Sequence, residues 1–109
     1  MTDDLHRLQF EFSLAVCELI RQADAMGYQV SLGEAWRSPE ECARLGHDRS
    51  CHGIRLAIDL NLFYNGEYLT SSKAHQALGD WWCDQGDHYS HGGVYGDGNH
   101  YSFEWRGRR

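Results

Sequence analysis

Apolar residues near the start of the chain recur at steps of three and four positions, which predicts an amphipathic helix over residues 4–26. Its apolar stripe consists of Leu5, Leu8, Phe12, Ala15, Val16, Leu19, Ile20 and Ala23. Asp3 or Asp4 can cap the first turn, and Gly27 is a typical helix stop. Residues 28–32 then alternate between apolar and polar side chains, which is the pattern of a strand.

A second helix is predicted to begin at the Ser-Pro-Glu-Glu sequence of residues 38–41. The serine can act as N-cap, proline is favoured at the first helical position, and the last glutamate completes a capping box. We expect this helix to be short and to end near Gly46. Residues 47–53 are polar and predict a loop, which carries His52.

The clearest strand pattern covers residues 55–63. One face would carry Leu56, Ile58, Leu60 and Leu62, and the other would carry Ala57, Asp59, Asn61 and Phe63. The Asn-Gly pair at residues 65–66 is typical of a hairpin turn, so a short strand is expected at residues 67–69.

The last third of the chain predicts one more helix and a closing strand. Ser71 or Ser72 can cap a helix that runs to about Gln85. Residues 86–99 are rich in glycine and predict a loop, and residues 100–105 alternate as a strand. Helices and short antiparallel strands in this order indicate an α+β fold, a small single domain over residues 1–109 with helices packed on an antiparallel sheet.

Composition and charge narrow the possible functions. The chain has 109 residues, of which 41% are hydrophobic, so it can form a core. A formal charge of −6 argues against the clustered cations that a nucleic-acid partner needs. The basic residues 106–109 are an exception, and we interpret them as a solvated tail. Four cysteines without Cys-x-x-Cys spacing argue against a zinc finger or a thioredoxin motif.

The beginning of the chain does not look like an export signal. Acidic residues stand where such a signal needs positive charge, and the apolar residues that follow are not continuous. No run approaches the roughly 20 apolar residues of a membrane span. We therefore expect synthesis in the cytoplasm, with no membrane span.

The strongest candidate chemistry lies in His52, Asp59 and His100, since two imidazoles and one carboxylate are a familiar ligand set for a catalytic zinc. His52 and Asp59 are seven positions apart, which on a straight strand would put them on opposite faces and roughly 23 Å apart. They can share a metal only if the chain folds back between them, for which Gly53 is suited. Asp59 is equally compatible with a surface carboxylate, and His100 with a structural histidine.

Two further residues complete this hypothesis. Asp97 lies in a glycine-flanked turn three positions before His100, where a carboxylate can take a proton from water and pass it on, although an aspartate that only forms the turn is the simpler interpretation. Glu104 is a poorer base, because it lies about 13 Å from His100 along a strand. Arg37 precedes a helix and can stabilise an oxyanion, and the alternative is a salt bridge to Glu40 or Glu41.

The remaining histidines are assigned no role. His88 and His91 form a competing metal candidate, but the residues around them predict a loop at the rim of the site. The other three, His6, His47 and His75, are predicted to lie on polar faces.

Three separated motifs together resemble the M15 family of zinc peptidases, which includes D-Ala-D-Ala carboxypeptidases and phage endolysins. They are Ser50-x-His52, Ala57-x-Asp59-Leu60 and Asp97-x-x-His100, preceded by the matching Arg-Ser-Pro-Glu-Glu segment at residues 37–41. The resemblance covers about residues 28–105 in the family's order. It departs at Arg55, where the family has glycine, and at Cys42, where the family usually has glutamine.

The resemblance implies one zinc ion on His52, Asp59 and His100, with Asp97 as general base and acid. Arg37 would polarise the substrate carbonyl, and Ser50 would help to build the substrate site. The implied fold is the small DD-peptidase/hedgehog type.

The expected function is hydrolysis of a peptide bond in the peptidoglycan stem peptide by a monomeric phage endolysin, an L-alanyl-D-glutamate endopeptidase. It would be made in the host cytoplasm and would act on the cell wall at lysis. The alternatives are a D,D-carboxypeptidase or dipeptidase, and a non-catalytic zinc-binding structural virion protein.

Overall fold

A computed structural model describes residues 4–109, in which helices pack on an antiparallel sheet as expected for an α+β domain. The elements are α1 (Asp4–Ala25), β1 (Gln29–Leu32), α2 (Pro39–Arg44), β2 (Ala57–Tyr64), β3 (Glu67–Leu69), α3 (Gln76–Cys83), β4 (Tyr89–His91) and β5 (His100–Phe103). Three 3₁₀ turns lie at Cys51–Ile54, Ser72–His75 and Gly92–Tyr95. Asp3, one of the two predicted caps of α1, lies outside the described residues.

The sheet has five antiparallel strands, and β2 is its central member. One edge of β2 pairs with β1, while the other edge pairs first with β5 and then with β3. β4 closes the far side by pairing with β5. Asn65 and Gly66 both have positive φ, as the predicted hairpin between β2 and β3 requires.

The apolar face of β2 and β5 forms the core, as the alternation in the sequence predicts. Ile58 pairs with Tyr101, so both side chains lie on the same face, and Tyr101 is fully buried. α1 covers this face with Phe12, Ala15, Leu19 and Ala23, and α3 adds Leu78 and Trp82. The register of β2 and β5 therefore places Asp59 and His100 together on the opposite face.

Helix caps follow the predicted signals. The Ser38 hydroxyl accepts a hydrogen bond from the Glu41 N–H at 3.1 Å, and Pro39 is the first residue of α2. The helix predicted from residue 71 or 72 begins as a 3₁₀ turn capped by Ser71 and becomes α-helical only at Gln76. None of the described helices is long and apolar enough to cross a membrane.

Two predictions of irregular structure are wrong. Residues 86–99 were expected to form a loop, but they contain β4 and the 3₁₀ turn Gly92–Tyr95, because three residues suffice to extend the sheet when β5 offers a free edge. Residues 106–109 were expected to be a solvated tail, and three of the four are exposed, but they are not irregular. Instead Trp105 and Arg108 form a β-bridge, and the Cys51 N–H donates to the Arg109 carbonyl at 3.0 Å.

Candidate metal centre

His52 lies on the 3₁₀ turn Cys51–Ile54, which positions it in the site. The Ser50 hydroxyl caps this turn by accepting a hydrogen bond from the His52 N–H at 3.2 Å. The turn ends at Arg55, which has a left-handed conformation with φ 60°, and β2 begins two residues later. The chain therefore folds back between His52 and Asp59 as predicted, but the left-handed residue is Arg55 and not Gly53.

Asp59 and His100 meet because they are direct partners in the pairing of β2 and β5. Directly opposed residues of antiparallel strands point to the same face with their Cβ atoms about 5 Å apart. Asp59 is further fixed on the other edge of β2, where its N–H donates to the Glu34 carbonyl at 2.8 Å and its carbonyl accepts from the Gly33 N–H at 2.8 Å. The second and third ligands thus lie on sheet backbone that is bonded on both sides.

The three potential ligand atoms form a nearly equilateral triangle. His52 Nε2 lies 3.2 Å from Asp59 Oδ1 and 3.2 Å from His100 Nδ1, and His100 Nδ1 lies 3.5 Å from Asp59 Oδ1. A tetrahedral ion with bonds of about 2.0–2.2 Å needs ligand atoms about 3.3–3.6 Å apart. The triangle therefore fits a small tetrahedral ion with one position left free, and this group of three can hold a metal ion.

A backbone carbonyl orients the first ligand. The His52 Nδ1–H donates to the Ala35 carbonyl at 2.7 Å, so Nε2 is the ring nitrogen directed at Asp59. Metal-binding histidines usually donate their other ring nitrogen in this way, which fixes the tautomer and the ring orientation. The carbonyl belongs to the segment between β1 and α2, so this segment, the Cys51–Ile54 turn, β2 and β5 all meet at the triangle.

The charges within the triangle favour a cation. Burial raises the pKa of Asp59, but hydrogen bonds from His100 and His52 outweigh it and hold this pKa at about 2. Burial lowers the pKa of His52, while the hydrogen bonds to Asp59 and to the Ala35 carbonyl outweigh it, so that the pKa is raised. An ionised carboxylate between two buried imidazoles thus attracts positive charge, which is supplied by protons or by a metal.

The triangle lies in an open cleft of about 820 Å³, and all the site residues predicted from the sequence line this cleft. Besides the three ligand residues, these are Asp97, Arg37 and Ser50. Asp97 is exposed, and its backbone is tied to both neighbouring elements, because its N–H donates to the Gly92 carbonyl at 2.9 Å and its carbonyl accepts from the His100 N–H at 3.1 Å. The backbone of Asp97 is therefore fixed beside the cleft, three residues before His100.

Arg37 does not make the salt bridge that was considered as its alternative role. Its guanidinium pairs with Glu34, whereas Glu41 pairs with Arg44. Burial lowers the pKa of Arg37, but the hydrogen bond and charge of Glu34 outweigh it and raise this pKa. The Arg37 N–H also donates to the His52 carbonyl at 3.1 Å, so this cationic residue is fixed directly beside the first ligand.

The histidines outside the triangle divide into exposed and buried ones. His6, His47 and His88 are exposed. The predictions for His75 and His91 are wrong. His75 is buried and its Nδ1 lies 2.8 Å from the Tyr101 hydroxyl, while His91 belongs to β4 and its Nε2 donates to the Gly98 carbonyl at 2.6 Å. The sequence pattern missed both, because the partner of His75 lies on a distant part of the chain and the partner of His91 is a backbone carbonyl, which leaves no signal in the sequence.

The residues after β5 support the His52 loop, a role that the sequence pattern did not reveal. Arg108 Nη2 donates to the Ser50 carbonyl at 3.2 Å, directly before the turn that carries His52. Arg109 pairs with Glu104 at 3.1 Å and also contacts the Tyr95 hydroxyl, and all three side chains line the cleft. The one local signal was Gly107, whose positive φ allows the chain to turn back there.

No protein-family model, curated protein or solved structure matches this chain.

Proposed function

We propose that this protein is a zinc-dependent peptidase that cleaves a peptide bond in the stem peptide of peptidoglycan. The observation that carries the proposal is the His52–Asp59–His100 triangle, whose edges of 3.2–3.5 Å match a tetrahedral ion with one free position. The exposed carboxylate of Asp97 and the cation of Arg37 line the same cleft. Three ligands with an open position are typical of catalytic rather than structural zinc sites.

The donor set supports zinc over the hard cations. Two imidazole nitrogens and one carboxylate oxygen suit zinc, whereas calcium and magnesium prefer oxygen donors in larger number. A zinc ion held there would polarise the scissile carbonyl and lower the pKa of a coordinated water to near neutral. Asp59 and the two imidazoles would hold the ion, and the Ala35 carbonyl would keep His52 in the required tautomer.

The other residues of the cleft would move protons and stabilise charge. Asp97 would accept a proton from the attacking water and return it to the amine that leaves, which is general base and then general acid catalysis. Its exposed position at the cleft mouth allows contact with both water and substrate. Arg37 would hold its positive charge near the oxygen of the attacked carbonyl, where negative charge develops in the transition state.

The substrate is proposed from the shape of the cleft and from the M15 resemblance together. An open cleft of about 820 Å³ has room for a short peptide beside the three ligand residues. The resemblance favours an L-alanyl-D-glutamate endopeptidase of the phage endolysin type, made in the host cytoplasm and acting on the wall at lysis. A D,D-carboxypeptidase of the same family is the second candidate within this class.

Digestion of purified peptidoglycan, followed by mass spectrometry of the released muropeptides, tests the proposal. We expect zinc-loaded protein to release fragments cut between L-alanine and D-glutamate, and Asp97→Ala to bind zinc but release none. Loss of terminal D-alanine instead would identify the carboxypeptidase. Stoichiometric zinc without hydrolysis of any wall preparation would contradict the enzyme and leave a zinc-binding structural virion protein.

A further inference from the structure

The turn formed by residues 96–99, which carries Asp97 and is called the Asp97 turn below, is gripped from two sides. His91 on β4 holds the Gly98 carbonyl, and Ser72 at the start of a 3₁₀ turn holds the Gly98 N–H. We propose that Ser72 and His91 are positioning residues that set the Asp97 carboxylate over the metal centre. This inference rests on the proposed peptidase function and deepens it.

The His91 side of this grip is rigid. His91 is 8% exposed, and its Nε2–H donates to the Gly98 carbonyl at 2.6 Å. A Cβ atom added to Gly79 would lie 2.1 Å from His91 Nδ1, so α3 leaves the imidazole no room to shift. The other side of the ring packs on Tyr101 with centroids 4.8 Å apart. His91 therefore links the Asp97 turn to the packed residues of α3 and β5.

The Ser72 side leaves equally little freedom. The Gly98 N–H donates to the Ser72 hydroxyl at 2.9 Å. A Cβ atom on Gly98 would lie 2.5 Å from the Ser72 Cα, so the two backbones approach as closely as they can. Because the N–H and the carbonyl of Gly98 belong to the two peptide planes that flank it, the two bonds together fix the planes on both sides. The first of these planes contains the carbonyl of Asp97.

The backbone of Asp97 is hydrogen-bonded as well, although the residue is exposed. Its own N–H and carbonyl are bonded to Gly92 and His100, so together with the two bonds at Gly98 four hydrogen bonds hold the backbone of Asp97 and Gly98. A general base is effective only when it stays within hydrogen-bond reach of the proton that it removes. A fixed backbone keeps an exposed side chain within this reach, whereas a surface turn without such hydrogen bonds does not.

Two adjacent serines provide a matched test of positioning against plain stabilisation. Ser71 and Ser72 begin the same 3₁₀ turn, and the Ser71 hydroxyl accepts a hydrogen bond from the Ala74 N–H at 3.2 Å rather than from Gly98. Each alanine substitution removes one hydroxyl from the same segment. We expect Ser72→Ala to lower kcat about tenfold with KM within about twofold and zinc bound one to one, and Ser71→Ala to leave kcat unchanged.

A second pair of variants tests the other side. His91→Gln keeps a side-chain N–H that can reach the Gly98 carbonyl, whereas His91→Leu keeps the bulk and loses the donor. We expect the glutamine variant to retain most of kcat and the leucine variant to lose about tenfold or more, again with zinc retained. If Ser72→Ala and Ser71→Ala have the same kcat, or if His91→Leu has the activity of His91→Gln, the positioning role is wrong.

Hydrogen exchange of the Gly98 amide separates this inference from the proposed function. Exchange should be slow in the unaltered protein, faster in Ser72→Ala and unchanged in Ser71→Ala. If zinc-loaded protein hydrolyses no wall substrate, the peptidase proposal fails while the exchange measurement still decides whether the two residues hold the turn. Equal exchange in both serine variants would overturn the inference whatever the activity.

Discussion

Two clusters of buried histidines lie on opposite faces of β5 and differ in their chemistry. One face carries His52 and His100 with Asp59 between them, and the other carries His75 and His91 around Tyr101. The histidines are buried to the same degree, with exposures of 2% and 8% in the first cluster and 3% and 8% in the second. Burial alone therefore does not distinguish a metal site from a polar part of the core.

The third member of each cluster makes the difference. The carboxylate of Asp59 is ionised and outweighs burial, so the pKa of His52 is raised. Beside the neutral phenol of Tyr101, burial dominates and lowers the pKa of both His75 and His91. Each cluster also has one imidazole anchored to a backbone carbonyl, that of Ala35 or that of Gly98. The same anchoring thus orients a ligand on one face and supports a turn on the other.

Removal of the carboxylate should produce the largest effect. Asp59→Asn keeps the shape of the triangle but removes the negative charge that binds the cation, so we expect zinc affinity to fall by about a thousandfold or more, well beyond the loss of an outer-shell partner. Isothermal titration at neutral pH would measure it. Tyr101→Phe, on the other face, should leave the affinity within about threefold, and a loss comparable to that of Asp59→Asn would show that the faces are not independent.

Acid should destabilise the protein through the second cluster. Burial lowers the pKa of His75 from 6.5 to about 4, so between these values the unfolded chain binds a proton that the folded chain does not. The part of the free energy of unfolding that depends on His75 is therefore highest above pH 6.5 and falls as the pH drops towards 4, by roughly 3 kcal/mol. Urea unfolding at several pH values would measure it. His75→Leu should lose this part of the pH dependence, and an unchanged slope would contradict the assignment.

Zinc bound at the first cluster should raise the free energy of unfolding by slightly less than the amount that acid removes through His75. An ion that binds only the folded protein adds about 2.7 kcal/mol at a hundredfold excess over its Kd, which for a domain of this size raises Tm by roughly 10 °C. Calorimetry with zinc and after chelation would show the shift. His91→Gln should respond to zinc as the unaltered protein does, because His91 faces the other cluster, whereas His52→Gln should show no shift.

The sequence predicts the first cluster better than the second for a physical reason. Alternation along residues 55–63 and 100–105 places Asp59 and His100 on the polar faces of their strands. The register of the two antiparallel strands then pairs these residues directly. His75 lies in a 3₁₀ turn and His91 on a three-residue strand, and neither element is long enough to show a period. The partner of His75, Tyr101, is distant in sequence. The partner of His91 is the backbone carbonyl of Gly98, and a backbone atom leaves no pattern in the sequence.

Arg55 is where the sequence pattern and the structure differ within the candidate metal centre. The fold-back was expected at Gly53, but φ of 60° at Arg55 provides it, at a cost that L-residues other than glycine incur. Gly53 instead lies in a crowded place, since a Cβ atom there would be 3.3 Å from Cys42 Sγ. The position where the resembled family has glycine is thus the one that requires a left-handed backbone.

Arg55→Gly should change the free energy of unfolding least, and this change measures the cost of the left-handed conformation at Arg55. Relief of the positive φ favours the variant, while the greater freedom of glycine in the unfolded chain and the loss of the Arg55 contact over Trp36 oppose it, so we expect a gain of at most about 1 kcal/mol. Urea unfolding without zinc would measure it, with Arg55→Ala as the control that loses the contact but keeps the strain. Zinc affinity should stay within about threefold, because the turn already holds His52 in the geometry of the triangle; a tighter site in the glycine variant would mean that strain at Arg55 reaches the metal ligands.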